Sequence, residues 1–221
     1  MGGRATRLFV VPLIRAISKR GVLGGLERLR YPLSGEFAGT RSLLESIEFP
    51  SGYDAEMAIL IQIWERGFAE RISQVDLGLF QHFPQSDNSI REMVKQIIQL
   101  LIAELGHRVN FDQKLVDDYV SEALKEVAST QEMYEKAEIR VKIEHEVKRD
   151  FYKDVEGDKR KVHAYAEELK SASMRKTSVQ RLPSWSSIAK DEKGSKILSF
   201  IRRRGTVSTI ELLSKQGLAV L

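Results

Sequence analysis

With no cysteine in 221 residues, any chemistry of this chain must come from carboxylates, hydroxyls, four histidines and the backbone. Four short segments near the N-terminus carry polar or glycine residues where a plain core segment would not want them. Gly2-Gly3-Arg4-Ala5-Thr6 leads into an apolar helical pattern. Free N–H groups at such a start, the positive end of the helix dipole, the Arg4 guanidinium and the Thr6 hydroxyl could together hold a phosphate or a carboxylate. Leu33-Ser34-Gly35-Glu36-Phe37-Ala38 sets bare backbone beside a carboxylate, and Gly52-Tyr53-Asp54-Ala55-Glu56 presents Glu56 in the first turn of a helix after a sharp turn. Gln74-Val75-Asp76-Leu77-Gly78 is followed by Gln81-His82. Each segment alone has a plainer reading: a glycine turn, a bulge with a surface Glu, a carboxylate on a helix dipole, a hydrogen-bonded structural His. One imidazole without carboxylate partners cannot hold a divalent ion.

The elements that would position these residues follow from apolar spacing. Leu8, Val11, Leu13, Ile14 and Ile17 predict a helix in which Pro12 is tolerable only in the first turns, and Gly21, Gly24 and Gly25 break it. Tyr31 to Ala38 reads as short and β-leaning, with Gly35 inside it, and Ser42 to Ile47 as a short helix. Met57, Leu60, Ile61 and Trp64 predict a helix ending at Gly67, and Ile72 to Phe80 alternates loosely like a strand. Asp87-Asn88-Ser89 is an N-cap region for a helix through Met93, Ile97, Ile98, Leu101 and Leu105 that stops at Gly106. Residues 1–111 therefore read as mixed α/β, mostly helical with a few strands. Residues 112–175 are dense in Glu and Lys and read as long helices broken once at Gly157. Their seam of Leu115, Tyr119, Leu124, Val127, Tyr134, Ile139, Ile143 and Val147 is expected to pack on the first part or on another chain. Residues 176–221 read as a basic, loosely packed extension.

The net charge of +4 resides in that extension, because residues 1–111 hold 13 basic and 12 acidic side chains while 177–221 hold 8 and 3. The run Arg202-Arg203-Arg204 has few aromatic neighbours, so nucleic acid is not expected as a partner. No apolar run approaches the ~18 residues needed to cross a bilayer, and Pro12 and Arg15 spoil a signal-peptide reading of the start. A soluble, cytoplasmic protein is expected. P-loop, GxGxxG, GxSxG, HExxH and Asp-x-Asp motifs are all absent from the chain.

Taken together and in order, the four segments resemble the C-terminal half of glucosyl-3-phosphoglycerate synthases, which are retaining GT-A glycosyltransferases. The likeness covers roughly residues 2–105 and rests on GGRAT, PLSGEFAGTRSLLESIEFPSGYDAEMAILI and ISQVDLGLFQH. It implies that Gly3, Arg4 and Thr6 hold the phosphate and carboxylate of a 3-phosphoglycerate-like acceptor. It also implies that Leu33, Ser34 and Gly35 line the donor-sugar pocket, that Glu56 touches the sugar and positions the reacting groups, and that His82 binds the divalent cation, Mg2+ or Mn2+, on the nucleotide diphosphate.

The resemblance implies equally what is lacking. In that family the nucleotide-binding half and its Asp-x-Asp motif precede the glycine loop, so this polypeptide alone is expected not to catalyse transfer, and to be a fragment, a mispredicted start or half of a split enzyme. After His82 the family commonly continues Arg-Asn-Arg, where this chain has Phe83-Pro84-Gln85, and Asp54 stands where a small residue is usual. Either a homo-oligomer or an upstream partner chain is expected. The alternative from another class is a non-catalytic helical interaction or oligomerisation module derived from a glycosyltransferase.

Overall fold

The computed structural model describes residues 3–49, 52–75, 85–141 and 155–174. A π-helical turn, Thr6–Val10, runs straight into α1, Val11–Ser18, with Pro12 in the first turn of the latter. There follow α2 (Arg41–Ser46), α3 (Ala55–Glu65), α4 (Asp87–Leu105), α5 (Gln113–Val141) and α6 (Val155–Ser173), with single 3₁₀ turns at Leu26–Arg28 and Ala69–Arg71. Local chemistry accounts for the ends. The Thr40 hydroxyl accepts from Leu43 N–H to cap α2, and the Ser86 hydroxyl accepts from Ser89 N–H at 3.1 Å to cap α4. Gly67 takes φ +73° just past α3, the left-handed backbone that closes a helix and that a Cβ would resist.

The π turn has a physical cause in Pro12. An α-helix would satisfy the Leu8 carbonyl with the N–H of residue 12, which proline lacks, and the Val11 N–H bonds back to the Thr6 carbonyl, five residues away. Tyr119 of α5, wholly buried, supplies the missing donor: its hydroxyl donates to the Leu8 carbonyl at 2.9 Å.

The core draws on every long helix. Phe9, Leu13 and Ile17 pack with Leu115, Tyr119 and Ala123 of α5, Val162 and Leu169 of α6, and Val94, Ile97 and Leu101 of α4, all buried in one cluster. The seam of α5 thus packs on the first part of the chain at Leu115, Tyr119 and Val127; the side chains of Tyr134 and Ile139, with Ile143 and Val147, lie outside the described residues. A ladder of ion pairs aligns α1 antiparallel to α5. Arg15 pairs with Glu126, Lys19 with Glu122 at 2.7 Å and Arg20 with Asp118 at 2.8 Å.

The sequence reading is corrected in two respects, the strands and the break at Gly157. No β-strand occurs among the described residues, so the α/β expectation gives way there to a helical cluster. The β-leaning stretch from Tyr31 finds no neighbouring strand among them. Its backbone is satisfied by a side chain: the N–H groups of Arg30 and Tyr31 donate to Gln74 Oε1 at 2.7 and 3.4 Å, and Gln74 Nε2 donates to the Tyr31 carbonyl at 3.0 Å. That amide imitates a single rung of a ladder and needs no strand at residues 72–75. Residues 76–80 of the expected second strand, and all of 176–221, lie outside the described residues. Gly157 does not break a helix; α6 runs through it.

Candidate functional site

Arg4 stands at the entrance to the π turn and reaches the start of α4. Its guanidinium is ion-paired with Asp87, the first residue of that helix, and its Nη2 donates to the Gln85 carbonyl at 2.8 Å. The Gly3 carbonyl accepts from Arg7 N–H at 3.0 Å, and a Cβ added at Gly3 would meet nothing within 4 Å. Glycine is therefore not demanded there by crowding within this chain, which leaves close approach by something else as a use for the bare backbone. Thr6 is only 3% exposed, inside the π turn. Arg7 turns the other way and pairs with Asp158 of α6 at 2.5 Å.

The second group sits around Glu56. Gly35 has φ +73°, and a Cβ built on it would lie 3.7 Å from Glu56 Oε1, so the bare backbone of the 33–35 segment and the carboxyl adjoin one another. Leu33 packs against the rim of the core, and the Ser34 hydroxyl donates to the Glu36 carbonyl at 2.9 Å, folding the segment on itself. Burial raises the Glu56 pKa above the ordinary carboxylate value; a backbone hydrogen bond to its own N–H opposes this, and the Asp54 charge adds to it. Asp54 is raised too, again chiefly by burial, against a hydrogen bond to its own backbone. Gln96 of α4 anchors the turn by accepting from Tyr53 N–H at 3.2 Å.

Helix α4 thus sets the distance between the two groups. Arg4 is tied to residue 87 and the Glu56 turn to residue 96, nine residues further on, or roughly 13 Å along the axis. Gly35 and Glu56 are brought together; Arg4 and Glu56 hold separate partners along the same helix. His82 lies outside the described residues, as does Gly2. Among the described residues no group of three or more His, Cys, Asp or Glu side chains could hold a metal ion, so they do not by themselves form a site for a divalent cation. Nor, among them, is any helix long and apolar enough to cross a membrane.

Sequence reasoning missed one feature next to Arg4. An open pocket of about 320 Å³ between the starts of α4 and α6 is lined by Asp87, Gly157, Arg160, Lys161 and Ala164. Lys161 Nζ lies 3.9 Å from Asp87 Oδ2, so this carboxylate sits between Arg4 and Lys161. The spacing of Gly157, Lys161 and Ala164, at intervals of four and three residues, puts small residues and a cation on one helical face. That was the available signal within a Glu/Lys-rich run.

Three curated relatives bear on this site. The chain is 34% identical over 105 residues to a glucosyl-3-phosphoglycerate synthase of Mycolicibacterium smegmatis, covering 48% of this chain and 33% of the relative. It is 37% identical over 105 residues to the enzyme of that name from Mycobacterium tuberculosis H37Rv, covering 48% and 31%, and 34% identical over 127 residues to that of Petrotoga mobilis, covering 57% and 38%. The chain spans about a third of the length of the curated relatives it matches. No family model matches it, and no solved structure matches it. Over about half its length the chain is similar to glucosyl-3-phosphoglycerate synthases.

Proposed function

From that similarity we propose that the chain is the acceptor-side portion of a nucleotide-sugar-dependent glucosyltransferase of GT-A lineage. It would join glucose from an NDP-glucose to a 3-phosphoglycerate-like acceptor with retention, and require an upstream donor-binding half to do so. The observation that carries the proposal is the match of about half of its length to curated enzymes of that name. In transfer with retention, the anomeric C–O bond to the diphosphate breaks while the acceptor oxygen bonds the same face of the sugar. Catalysis then rests on holding two anions and a sugar in register.

The residues suit those tasks. Arg4, with its side chain 28% exposed, presents a charged fork beside the bare backbone of Gly3, fit for the phosphate or carboxylate of the acceptor, while Thr6, 3% exposed inside the π turn, is assigned to the acceptor by the resemblance alone. Glu56, held above the usual carboxylate range and adjoining Gly35, can share a hydrogen bond with a sugar hydroxyl where the backbone of Leu33, Ser34 and Gly35 lets the ring come close. His82 is assigned to Mg2+ or Mn2+ together with carboxylates from the upstream half.

The test supplies that half, in cis or in trans, and assays NDP-glucose with 3-phosphoglycerate and either cation. The assembled protein is expected to turn over and the chain alone is not. Thr6→Ala and His82→Ala are each expected to abolish turnover, and unchanged turnover in both would overturn the assignment. An assembled protein without turnover, joined to a stable oligomer of the chain by sedimentation, would favour a non-catalytic helical module.

A further inference from the structure

Two helices pin the start of the chain. Arg4 reaches α4 through Asp87, while Arg7 reaches the first turn of α6 through Asp158 at 2.5 Å. The two ties differ in setting: Asp87 is 64% exposed, whereas the side chains of Arg7 and Asp158 are only 12% and 16% exposed. Arg7 Nη1 is buried without a hydrogen-bond partner among the described residues, so the guanidinium depends on the Asp158 carboxylate to offset its burial. A buried ion pair is a poor source of stability, because apolar side chains of similar volume hold a helix contact at least as well. What such a pair adds is direction, since a guanidinium fork and a carboxylate meet in few arrangements.

What Arg7 orients is the glycine turn. Its N–H donates to the Gly3 carbonyl at 3.0 Å, and its peptide bond is shared with Thr6, so fixing Arg7 fixes the backbone from Gly3 to Thr6. Asp158 lies far outside residues 2–105, over which the recognisable motifs run. Val162, Tyr165 and Leu169 keep α6 on the core without the pair, Tyr165 by an edge-on contact with Phe9 at 5.9 Å, so losing the pair should free the turn and leave the helix docked.

We propose that Asp158 is a positioning residue: acting through Arg7, it holds the Gly3–Thr6 turn in the arrangement that binds the acceptor. That this turn holds the acceptor rests on the reading given under Proposed function; the tie to α6 rests on the geometry alone.

The test compares the whole chain with Arg7→Met, Asp158→Asn and the two combined. Arg7→Met keeps an apolar stem and removes the buried charge, so it is expected to match the parent in urea unfolding, whereas Asp158→Asn strands that charge and is expected to be less stable. In both, the N–H of residue 7 is expected to exchange with solvent about tenfold faster relative to amides of α5, and 3-phosphoglycerate, titrated by calorimetry, to bind about tenfold more weakly. The double variant is expected to match Arg7→Met, because Asp158 acts through Arg7. Glu168→Gln, which breaks the ion pair of α6 with Arg91 of α4, is expected to change neither readout. Exchange and affinity at the parent's values in Arg7→Met would overturn the proposal, as would an effect of Asp158→Asn that persists undiminished in the Arg7→Met background.

The two readings fail differently. A parent chain that does not bind 3-phosphoglycerate counts against the acceptor reading, and exchange at residue 7 still decides the tie: faster exchange in the variants supports it and unchanged exchange overturns it. Binding that is undiminished in Arg7→Met keeps the acceptor reading and overturns the positioning role.

Discussion

The hydroxyl of Tyr119 and the missing N–H of Pro12 should be energetically coupled, and the coupling can be measured. Tyr119→Phe deletes the buried hydroxyl that donates to the Leu8 carbonyl at 2.9 Å, with the Val162 carbonyl a weaker second acceptor at 3.5 Å. The ring is kept, and so is its edge-on contact with Phe9, whose centroid is 5.6 Å away at an interplanar angle of 68°. Leu8 is wholly buried, so water cannot take over the stranded carbonyl. A neutral hydrogen bond is worth about 1 kcal/mol net, and an orphaned buried acceptor raises the cost to about 1–3 kcal/mol. We therefore expect a loss near 2 kcal/mol, or about 4–8 °C in Tm for a chain of this size. In a Pro12→Ala background the N–H of residue 12 can serve the Leu8 carbonyl, so the same Tyr119→Phe change should cost under about 0.5 kcal/mol. Urea unfolding of the four proteins, with unchanged slopes, measures the cycle. Equal costs in the two backgrounds would refute the argument that proline created the vacancy that tyrosine fills. Because the π turn carries Arg4 and Thr6 into place, the variant of Tyr119 should also weaken anion binding by the chain.

Two further predictions follow from ionisation. Burial makes the charged form of Glu56 costly in the folded state, so stability should decline as pH rises through and above the ordinary carboxylate range. Glu56→Gln removes that decline and should be at least as stable as the parent at neutral pH by thermal melting, while the assembled enzyme loses turnover; a clear destabilisation would contradict the assignment of the shift to burial. At the alkaline end, burial pushes Tyr119 well above the usual phenol value and Tyr165 up to about 12. The unfolded chain releases those protons near pH 10 and the folded one does not, so stability is whole below about 10 and falls from there toward 12. The slope approaches about 1.4 kcal/mol per pH unit for each tyrosine. Tyr165→Phe should flatten it, and an unchanged slope would remove Tyr165 from the account.

What could be read from the residues, and what could not, divides along the reach of the interactions. The start of α4, read as an N-cap at Asp87-Asn88-Ser89 and found one residue earlier at Ser86, the stop at Gly67 and the apolar stripes of α3 and α4 are decided within a turn or two of chain, and the spacing of Met57, Leu60 and Ile61 or Ile97, Ile98 and Leu101 shows the stripes directly. Pro12 could be placed in a first turn, but the π turn before it depends on a hydroxyl 111 residues away. The strand reading of Tyr31 to Ala38 failed for the converse reason. A β-leaning composition says nothing of a partner strand, and the polar groups near Tyr31 are met by the amide of Gln74. The candidate site shows the same division. The motif Gly3-Arg4-Thr6 is contiguous and so could be recognised, whereas the group that holds Arg4, Asp87, is 83 residues further on, and Lys161 joins it from a helix whose charges look like a solvated face. Charge density along a helix is the same whether its cations meet water or one another; only the small residues at Gly157 and Ala164 mark the face on which Lys161 looks into a pocket.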